Sequence, residues 1–404
     1  MTPDFSVVHV WDAEYPWDVR VEKISRALTD AGIAVDILAR NRKGQPSSET
    51  LAEGTVRRMR PLPLLSPGPL DAASQFPAFF NPRWYTHMRR VARAHQRPVL
   101  LVRDLPLAPT AVAVGRRLRI PVIFDMAEDY PAMIRDLWSS GRNGPLDGLV
   151  RNPRAVSAIE RWVLERVDHT LVVVEESEQR LREQGVPAER ISIVSNTPDL
   201  DAWPGRRSHG NDTSSPLKLV YLGGMQFMRG IVELLEAVRI LEDRGTSVEV
   251  HLIGDGHDLP VFQDRARELG IEAQVHLHGF MPLEAALPVV AEADIGVVPH
   301  HKTEHTNTTV PNKLFDYMAT ELPVIVGDAA PLERIVTTHR CGAVFRSGDA
   351  SSLAEAISSL GSREARVAAG QRGREAVEAT YNWSREVERL LCAFDIVRSG
   401  SASP

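Results

Sequence analysis

The sequence predicts an α/β protein made of two Rossmann-like domains, and three observations carry that expectation. Short β-branched runs alternate with helix-length segments along nearly all of the 404 residues. A chain of that length exceeds the size at which one hydrophobic core keeps growing, so two domains are the default. A polar, glycine-containing, aperiodic stretch at 202–216 divides the alternation into two series and reads as a linker. The expected parts are therefore 1–201, the linker, 217–380, and a terminal helix over 381–398.

In the first series Ser6–Val10 reads as a strand, Val19–Ala31 as a helix closed by Gly32, and Ala34–Leu38 as the next strand. Such a βαβ opening builds a parallel sheet with ligand sites at the strand C-termini. The loop from Trp11 to Arg20 is long, aromatic and charged, which suits a site-lining loop better than a minimal connection. Val99–Val102 and Val122–Phe124 are short buried-strand candidates. Arg103 and Asp104 follow the first; Asp125, Glu128 and Asp129 follow the second. One such acid is usually a cap or an ion-pair partner, but two successive strands ending this way mark a place to look for a ligand. Ala155–Arg166 and Glu178–Gln184 read as helices, Thr170–Val174 and Ile191–Val194 as strands.

Two stretches interrupt this pattern. Pro61–Pro82 is proline-rich and aperiodic. Arg83–Arg97 reads as a basic helix in which Trp84, Tyr85, Met88 and Val91 interleave with arginines. It either faces anionic lipid or a phosphate-bearing acceptor, or is a solvated helix whose aromatics cover the core.

The second series places strands at Leu217–Leu222, Val248–Ile253, Val275–His278, Ile295–Val298, Val324–Val326 and Gly342–Phe345. Helices are expected at Ile231–Arg244, Leu259–Leu269 and Leu283–Ala291, with a last amphipathic helix at Trp383–Val397. A further helix is expected from Pro311, in its first turn, with Thr308 or Thr309 as cap. Lys313 and Asp316 then share one face, and Leu314, Tyr317 and Met318 turn inward.

Composition narrows the classes. Hydrophobic residues make up 43% and charged residues 25%, ordinary values for a soluble globular protein. A net charge of −6 argues against general nucleic-acid binding. Cys341 and Cys392 are the only cysteines, too few for a disulfide framework or a thiolate zinc site, which fits a reducing compartment. The N-terminus lacks the pattern of a signal peptide, and no run approaches ~20 apolar residues. The expected setting is the cytoplasm, or the inner face of a membrane through peripheral association.

The chemistry concentrates in the second series. Strand Leu217–Leu222 runs into Gly223-Gly224-Met-Gln-Phe-Met-Arg229-Gly230 before a helix. Paired glycines let backbone N–H groups approach a ligand, and Arg229 adds a fork of donors suited to phosphate. The spacing does not match the G-x-G-x-x-G of a dinucleotide dehydrogenase. The next strand ends in Gly254-Asp-Gly256. Two glycine turns with Arg229 and Lys313 at helix starts describe a pocket for a diphosphate-linked ligand. His300, His301 and His305 resemble a metal cluster at first sight, but they lack an obvious carboxylate shell.

These motifs resemble the GT-B glycosyltransferases, and among them the retaining glycosyltransferase family four. Gly223-Gly224, Arg229-Gly230, Gly254-Asp-Gly256, Gly279-Phe280, Ala293-Asp294 with Pro299, and Pro311-Asn312-Lys313 through Ala319 fall in the family's order. Asp18-Val-Arg20, Val194-Ser-Asn196 and the Tyr381-Asn-Trp383 helix are weaker matches. The resemblance implies two Rossmann-like domains facing across a cleft, with the terminal helix returning to the first. It implies that Arg229 and Lys313 neutralise the departing diphosphate, that Gly223, Gly224, Gly254, Gly256 and Asn312 line the donor site, that Asp316 accepts from the ribose, and that Phe280 approaches the base. Arg20, Arg103, Asp104, Asp125 and Glu128 become candidates for acceptor or sugar contacts. The family's first acidic residue, eight positions before Asp316, is Thr308 here; Glu304 is the nearest acid to it in sequence. No metal or other cofactor is expected, since the nucleotide sugar is itself a substrate. The acceptor is a glycan, a lipid-linked intermediate or a small molecule. Two other readings keep the fold: a sugar-nucleotide 2-epimerase, or a non-catalytic sugar-nucleotide-binding subunit.

Overall fold

The computed structural model describes residues 4–16, 18–60, 79–139, 152–203 and 216–400. Most of the Pro61–Pro82 run, most of the expected linker at 202–216 and the last four residues lie outside that set. The described chain forms two compact units, Met1–Ser195 with Glu386–Pro404, and Asn196–Arg385.

The first unit is built on an eight-stranded sheet. Its strands are β1 (Ser6–Val10), β2 (Ala34–Ala39), β3 (Ser48–Leu51), β4 (Gly54–Arg58), β5 (Pro98–Arg103), β6 (Val122–Asp125), β7 (His169–Val172) and β8 (Ile191–Ile193), in the order β3-β4-β2-β1-β5-β6-β7-β8. Every pairing is parallel except β3 with β4. That pair is a hairpin turned at Ala52-Glu53 that the sequence reading did not foresee. Its strands, Ser-Glu-Thr-Leu and Gly-Thr-Val-Arg-Arg, are short and polar, with little alternation to read. Because β1 lies between β2 and β5, the chain reverses direction across the sheet there, and the loops after β1 and β5 flank the reversal.

Helix α1 (Val19–Asp30) starts where the Asp18 carboxylate accepts from Arg20 N and Val21 N. Helix α2 spans Pro82–Ala92, so the basic segment stops short of Arg97. Its Trp84, Met88 and Val91 are core residues. That is the solvated-helix outcome for these three apolar positions; Tyr85 is partly buried, and the arginines share the solvent side with Thr86. Helices α3 (Ala108–Leu118) and α4 (Tyr130–Ser139) fill connections left unassigned from sequence. Helix α5 (Pro153–Leu164) begins two residues early because Asn152 caps it, and α6 (Glu175–Glu183) follows β7.

The second unit carries a six-stranded, wholly parallel sheet. Its strands are β9 (Leu217–Leu222), β10 (Val248–Ile253), β11 (Val275–Gly279), β12 (Ile295–Val298), β13 (Val324–Gly327) and β14 (Gly342–Phe345), in the order β11-β10-β9-β12-β13-β14. Read from β9, that is the 3-2-1-4-5-6 order of a doubly wound nucleotide fold, with its reversal between β9 and β12. Helices α7 (Ile231–Asp243), α8 (Leu259–Leu269), α9 (Leu283–Glu292), α10 (Asn312–Ala319), α11 (Ala330–His339), α12 (Ala350–Ser359) and α13 (Arg363–Ala379) complete the unit. Helix α13 buries alanine and glycine: a Cβ on Gly370 would lie 1.9 Å from the Glu321 carbonyl oxygen.

The last helix, α14 (Trp383–Gly400), belongs from Glu386 onward to the first unit. The buried Glu386 carboxylate accepts from Ser195 N at 3.0 Å, and Phe394 stacks on Phe5 with centroids 6.0 Å apart. The helix therefore does return to the first unit. It runs to Gly400, three residues beyond the Val397 end expected from the sequence.

Candidate active site

The reversal between β9 and β12 brings two loops together, and each delivers a cation. After β9, the chain turns at Gly223 with φ of +136°, a backbone conformation that side chains rarely tolerate. A Cβ there would stand 2.8 Å from Lys313 Nζ. The loop then runs to a 3₁₀ turn, Phe227–Arg229, and Gly230, left-handed at φ +70°, starts α7. A Cβ on Gly230 would sit 1.8 Å from the carbonyl oxygen of Pro299, which holds the β9 and β12 loops against each other. His301 N donates to Met228 O at 3.1 Å and fastens the same seam.

Lys313 lies in the first turn of α10 and is buried. Its ammonium sits 3.8 Å from the centroid of the Tyr221 ring and 3.4 Å from His300 Nε2. Arg229 reaches the other side of the same imidazole, with Nη1 3.3 Å from Nδ1. Burial together with both cations drives the His300 pKa well below its usual value, so the ring is neutral. A neutral imidazole has one acceptor nitrogen, so it can accept from only one of the two cations at a time. The Lys313 pKa is pushed well down, first by burial and then by Arg229, with Asp316 opposing. Two cations facing one neutral ring in a desolvated setting describe a site that an anion would complete.

The surrounding backbone is built for close approach. Tyr221 OH donates to Gly224 O at 2.8 Å, and Tyr317 OH accepts from Leu222 N at 2.7 Å. Gly296 makes room for Tyr317, since a Cβ there would lie 2.4 Å from its ring. Gly254 and Gly256 serve packing between loops: their Cβ positions fall 1.9 Å from Gly223 O and 2.2 Å from Met225 O. Gly254 N in turn donates to Gly279 O at 2.8 Å. The loops after β9, β10 and β11 thus stack as one shelf, and Phe280 stands at its edge, 67% exposed.

Helix α10 begins one residue later than expected. Pro311 is the extended residue before it, and its first residue is Asn312, which is exposed. Thr308 is not the cap. It closes a 3₁₀ turn, Thr306–Thr308, with its hydroxyl donating to His305 O at 3.0 Å. Of the neighbouring histidines, His301 pairs with Glu233 at 2.9 Å, while His300 lies between the cations.

The first unit gathers a different set at its own reversal. Arg20 and Asp125 form a buried ion pair at 2.6 Å, and Arg20 also donates to Val194 O at 2.8 Å. The pair keeps the Asp125 carboxyl below its usual range against the pull of burial. Arg103 lies between Asp18 at 3.2 Å and Asp104 at 3.5 Å, with its guanidinium 5.1 Å from the Trp11 ring centroid. Asp104 adopts φ +59° and leaves Oδ1 buried without a hydrogen bond. Burial lifts its pKa to about 7, with Arg103 opposing and Glu128 adding to the rise. Sequence reasoning missed two members of this group. Asp12, in the first loop, is raised to about 6 by burial. His9, inside β1, is held neutral, pushed down to about 3 mainly by burial, and its Nδ1 meets Ser25 Oγ at 2.9 Å. A charged loop was the signal for Asp12; a lone histidine within an apolar strand gave none.

Both units match known sequence families. Residues 216–363 match the model described as glycosyl transferases group 1, and residues 18–197 match the glycosyl transferase 4-like domain. The chain is 23% identical over 220 residues to a putative colanic acid biosynthesis glycosyltransferase, WcaL, of Escherichia coli, covering 53% of this chain and 54% of that protein. It therefore spans about half the length of that relative. It is 22% identical to glycogen synthase of Mycobacterium tuberculosis, over 95% of this chain and 92% of the other. Among solved structures, a sucrose-phosphate synthase from Thermosynechococcus elongatus superposes with a TM-score of 0.77 at 16% identity, covering 98% of this chain and 99% of that one. HepE of Anabaena, solved with UDP, gives 0.70 at 12% identity over 96% and 99%. With two parallel Rossmann-like sheets and a family match on each unit, the chain belongs to the group 1 glycosyltransferases of GT-B fold.

Proposed function

We propose that the protein moves a hexosyl unit, with retention of anomeric configuration, from a nucleotide-diphosphate sugar to a glycan, lipid-linked or small-molecule acceptor. The observation that carries this reading is the convergence of Lys313 and Arg229 on the two nitrogens of His300, 3.4 Å and 3.3 Å away. Cleaving a sugar–diphosphate bond leaves negative charge on the departing phosphate, and preorganised cations in a desolvated site stabilise that charge as it forms. Lys313 and Arg229 fill that role without a metal. Once they have neutralised the diphosphate, its own phosphate oxygen can take the acceptor hydroxyl proton, so no side-chain base is required. Asp316 would receive the ribose hydroxyls, and Gly223 and Gly224 would face the phosphates. Arg20, Arg103, Asp104, Asp125 and Glu128 are proposed for the acceptor side.

UDP-hexoses are the first donors to test, because HepE has been solved with UDP-glucose. A bacterial polysaccharide intermediate is the first acceptor class, from the colanic acid relative. Lys313→Ala and Arg229→Ala should each lower kcat/KM by ~10²-fold or more while the protein still melts cooperatively. Wild-type turnover by Lys313→Ala would overturn the site assignment. Incubating the donor without acceptor separates transfer from epimerisation, since only an epimerase makes an isomeric nucleotide sugar.

A further inference from the structure

We propose a zinc-class metal site on the outer strands of the second sheet, formed by Glu249, His251 and His276 and oriented by His278. It stands apart from the diphosphate reading and requires none of it. Glu249 and His251 are two residues apart on β10, as are His276 and His278 on the edge strand β11, so each pair projects to one face. Register places His251 opposite His276. Their rings stack with centroids 4.8 Å apart, and His251 also stacks on His278 at 5.3 Å.

The nitrogens matter more than the rings. His251 Nε2 and His276 Nε2 are both shielded from solvent and both lack a hydrogen-bond partner. They lie 3.9 Å and 3.8 Å from the same carboxylate oxygen, Glu249 Oε2. The three potential ligand atoms fall within 4.8 Å of one another. Tetrahedral zinc with bonds near 2.0–2.1 Å spaces its ligands by roughly 3.3 Å; the carboxylate, at 3.9 Å and 3.8 Å, must close by about half an ångström on each nitrogen, and the two nitrogens, within 4.8 Å of each other, by up to about 1.5 Å, movements that side-chain rotation supplies.

The fourth residue sets the tautomer. His251 Nδ1 lies 3.0 Å from His278 Nε2. If Nδ1 carries the proton and donates there, the lone pair of His251 is on Nε2, directed at Glu249 and His276. A ligating histidine typically hands its other N–H to such a partner. Two imidazoles and one carboxylate suit Zn²⁺ better than a hard oxygen-seeking cation, and leave a fourth position for water. The pairing between β10 and β11 slips immediately beyond, between Leu252 and Ile253. A metal here would pin the edge strand just before that slip, on the way to Gly279 and Phe280.

The test uses the full chain, dialysed against chelator and titrated with ZnCl₂ in competition with a chromogenic chelator. The expected result is one zinc per chain with micromolar or tighter affinity. Glu249→Gln and His276→Gln should each weaken binding at least ~10-fold, and His278→Phe, which removes only the orienting partner, by ~10- to 100-fold. Zinc should raise the melting temperature of wild type and not that of the His251→Gln/His276→Gln double variant. All four residues lie on a half-exposed face, so a matching metal-free melt shows that the variants fold. Wild-type affinity retained by the double variant, or no wild-type binding tighter than ~100 μM, overturns the site.

Discussion

The two sheets present charge at their reversal points in opposite ways. In the first unit Arg20 is matched by Asp125, and Arg103 by Asp18 and Asp104. In the second, Lys313 and Arg229 meet on a neutral histidine. A buried pair that is already matched gains little from a charged ligand, whereas two cations sharing one ring are relieved by an anion. The first arrangement suits a hydroxyl-rich partner, and the second suits a diphosphate.

The comparison predicts opposite results from the same operation, the deletion of one buried charge. Asp125→Ala leaves Arg20 buried and unmatched, and should cost about 3–5 kcal/mol in urea unfolding. Lys313→Met removes a cation whose burial is already unfavourable, so stability should hold or rise. Its kcat/KM should nonetheless fall ~10²-fold, about 2.7 kcal/mol at the transition state. If Lys313→Met unfolds as readily as Asp125→Ala, Lys313 is a structural residue and the contrast collapses.

Much of this was legible before any coordinates, and the exceptions have physical causes. Strands β12 and β13 read correctly because parallel strands buried on both faces are continuous apolar runs. Lys313 and Arg229 stood out in the sequence because phosphate chemistry favours cations at helix starts, and the structure brings the two to one imidazole. The role of His300 was not legible: beside His301 and His305 it only superficially resembles a metal cluster, and only the fold places it between Arg229 and Lys313. Helix α13 was missed because it packs through Ala369, Gly370 and Gly373, so it shows no broad apolar stripe. The start of α10 slipped by one residue because Pro311 is equally at home before a helix and in its first turn.

The first unit's match is also incomplete, and pH exposes where. Asp104 has a pKa near 7 in the folded protein, against the ordinary aspartate value when unfolded. The folded state therefore holds the proton more tightly between about pH 4 and pH 7, and stability falls as pH rises through that window. The slope from this one group is at most about 1.4 kcal/mol per pH unit. Asp104→Asn should flatten the decline measured by urea unfolding across pH 4.5–7, leaving the smaller fall from Asp12, whose pKa is about 6. An unchanged slope would mean that Arg103 already neutralises Asp104, and the first unit would be fully matched.

The smallest effect concerns charge far from either site. Arg97 is tied to Asp4, which Arg398 also contacts, whereas Arg90 and Arg93 are exposed at the end of α2. Trp84 and Met88 are committed to the core, so attraction to an anionic membrane would be purely electrostatic. Such attraction is worth about 1 kcal/mol per arginine and fades within a Debye length. Arg90→Glu with Arg93→Glu should therefore reduce flotation with phosphatidylserine vesicles several-fold at low salt, and wild-type flotation should vanish near 0.5 M NaCl. Salt-resistant flotation would require inserted apolar residues, for which Phe80 and the partly buried Tyr85 are the nearest candidates. No flotation at low salt would mean that these arginines are solvated charges, without a partner role like the one proposed for Lys313 and Arg229.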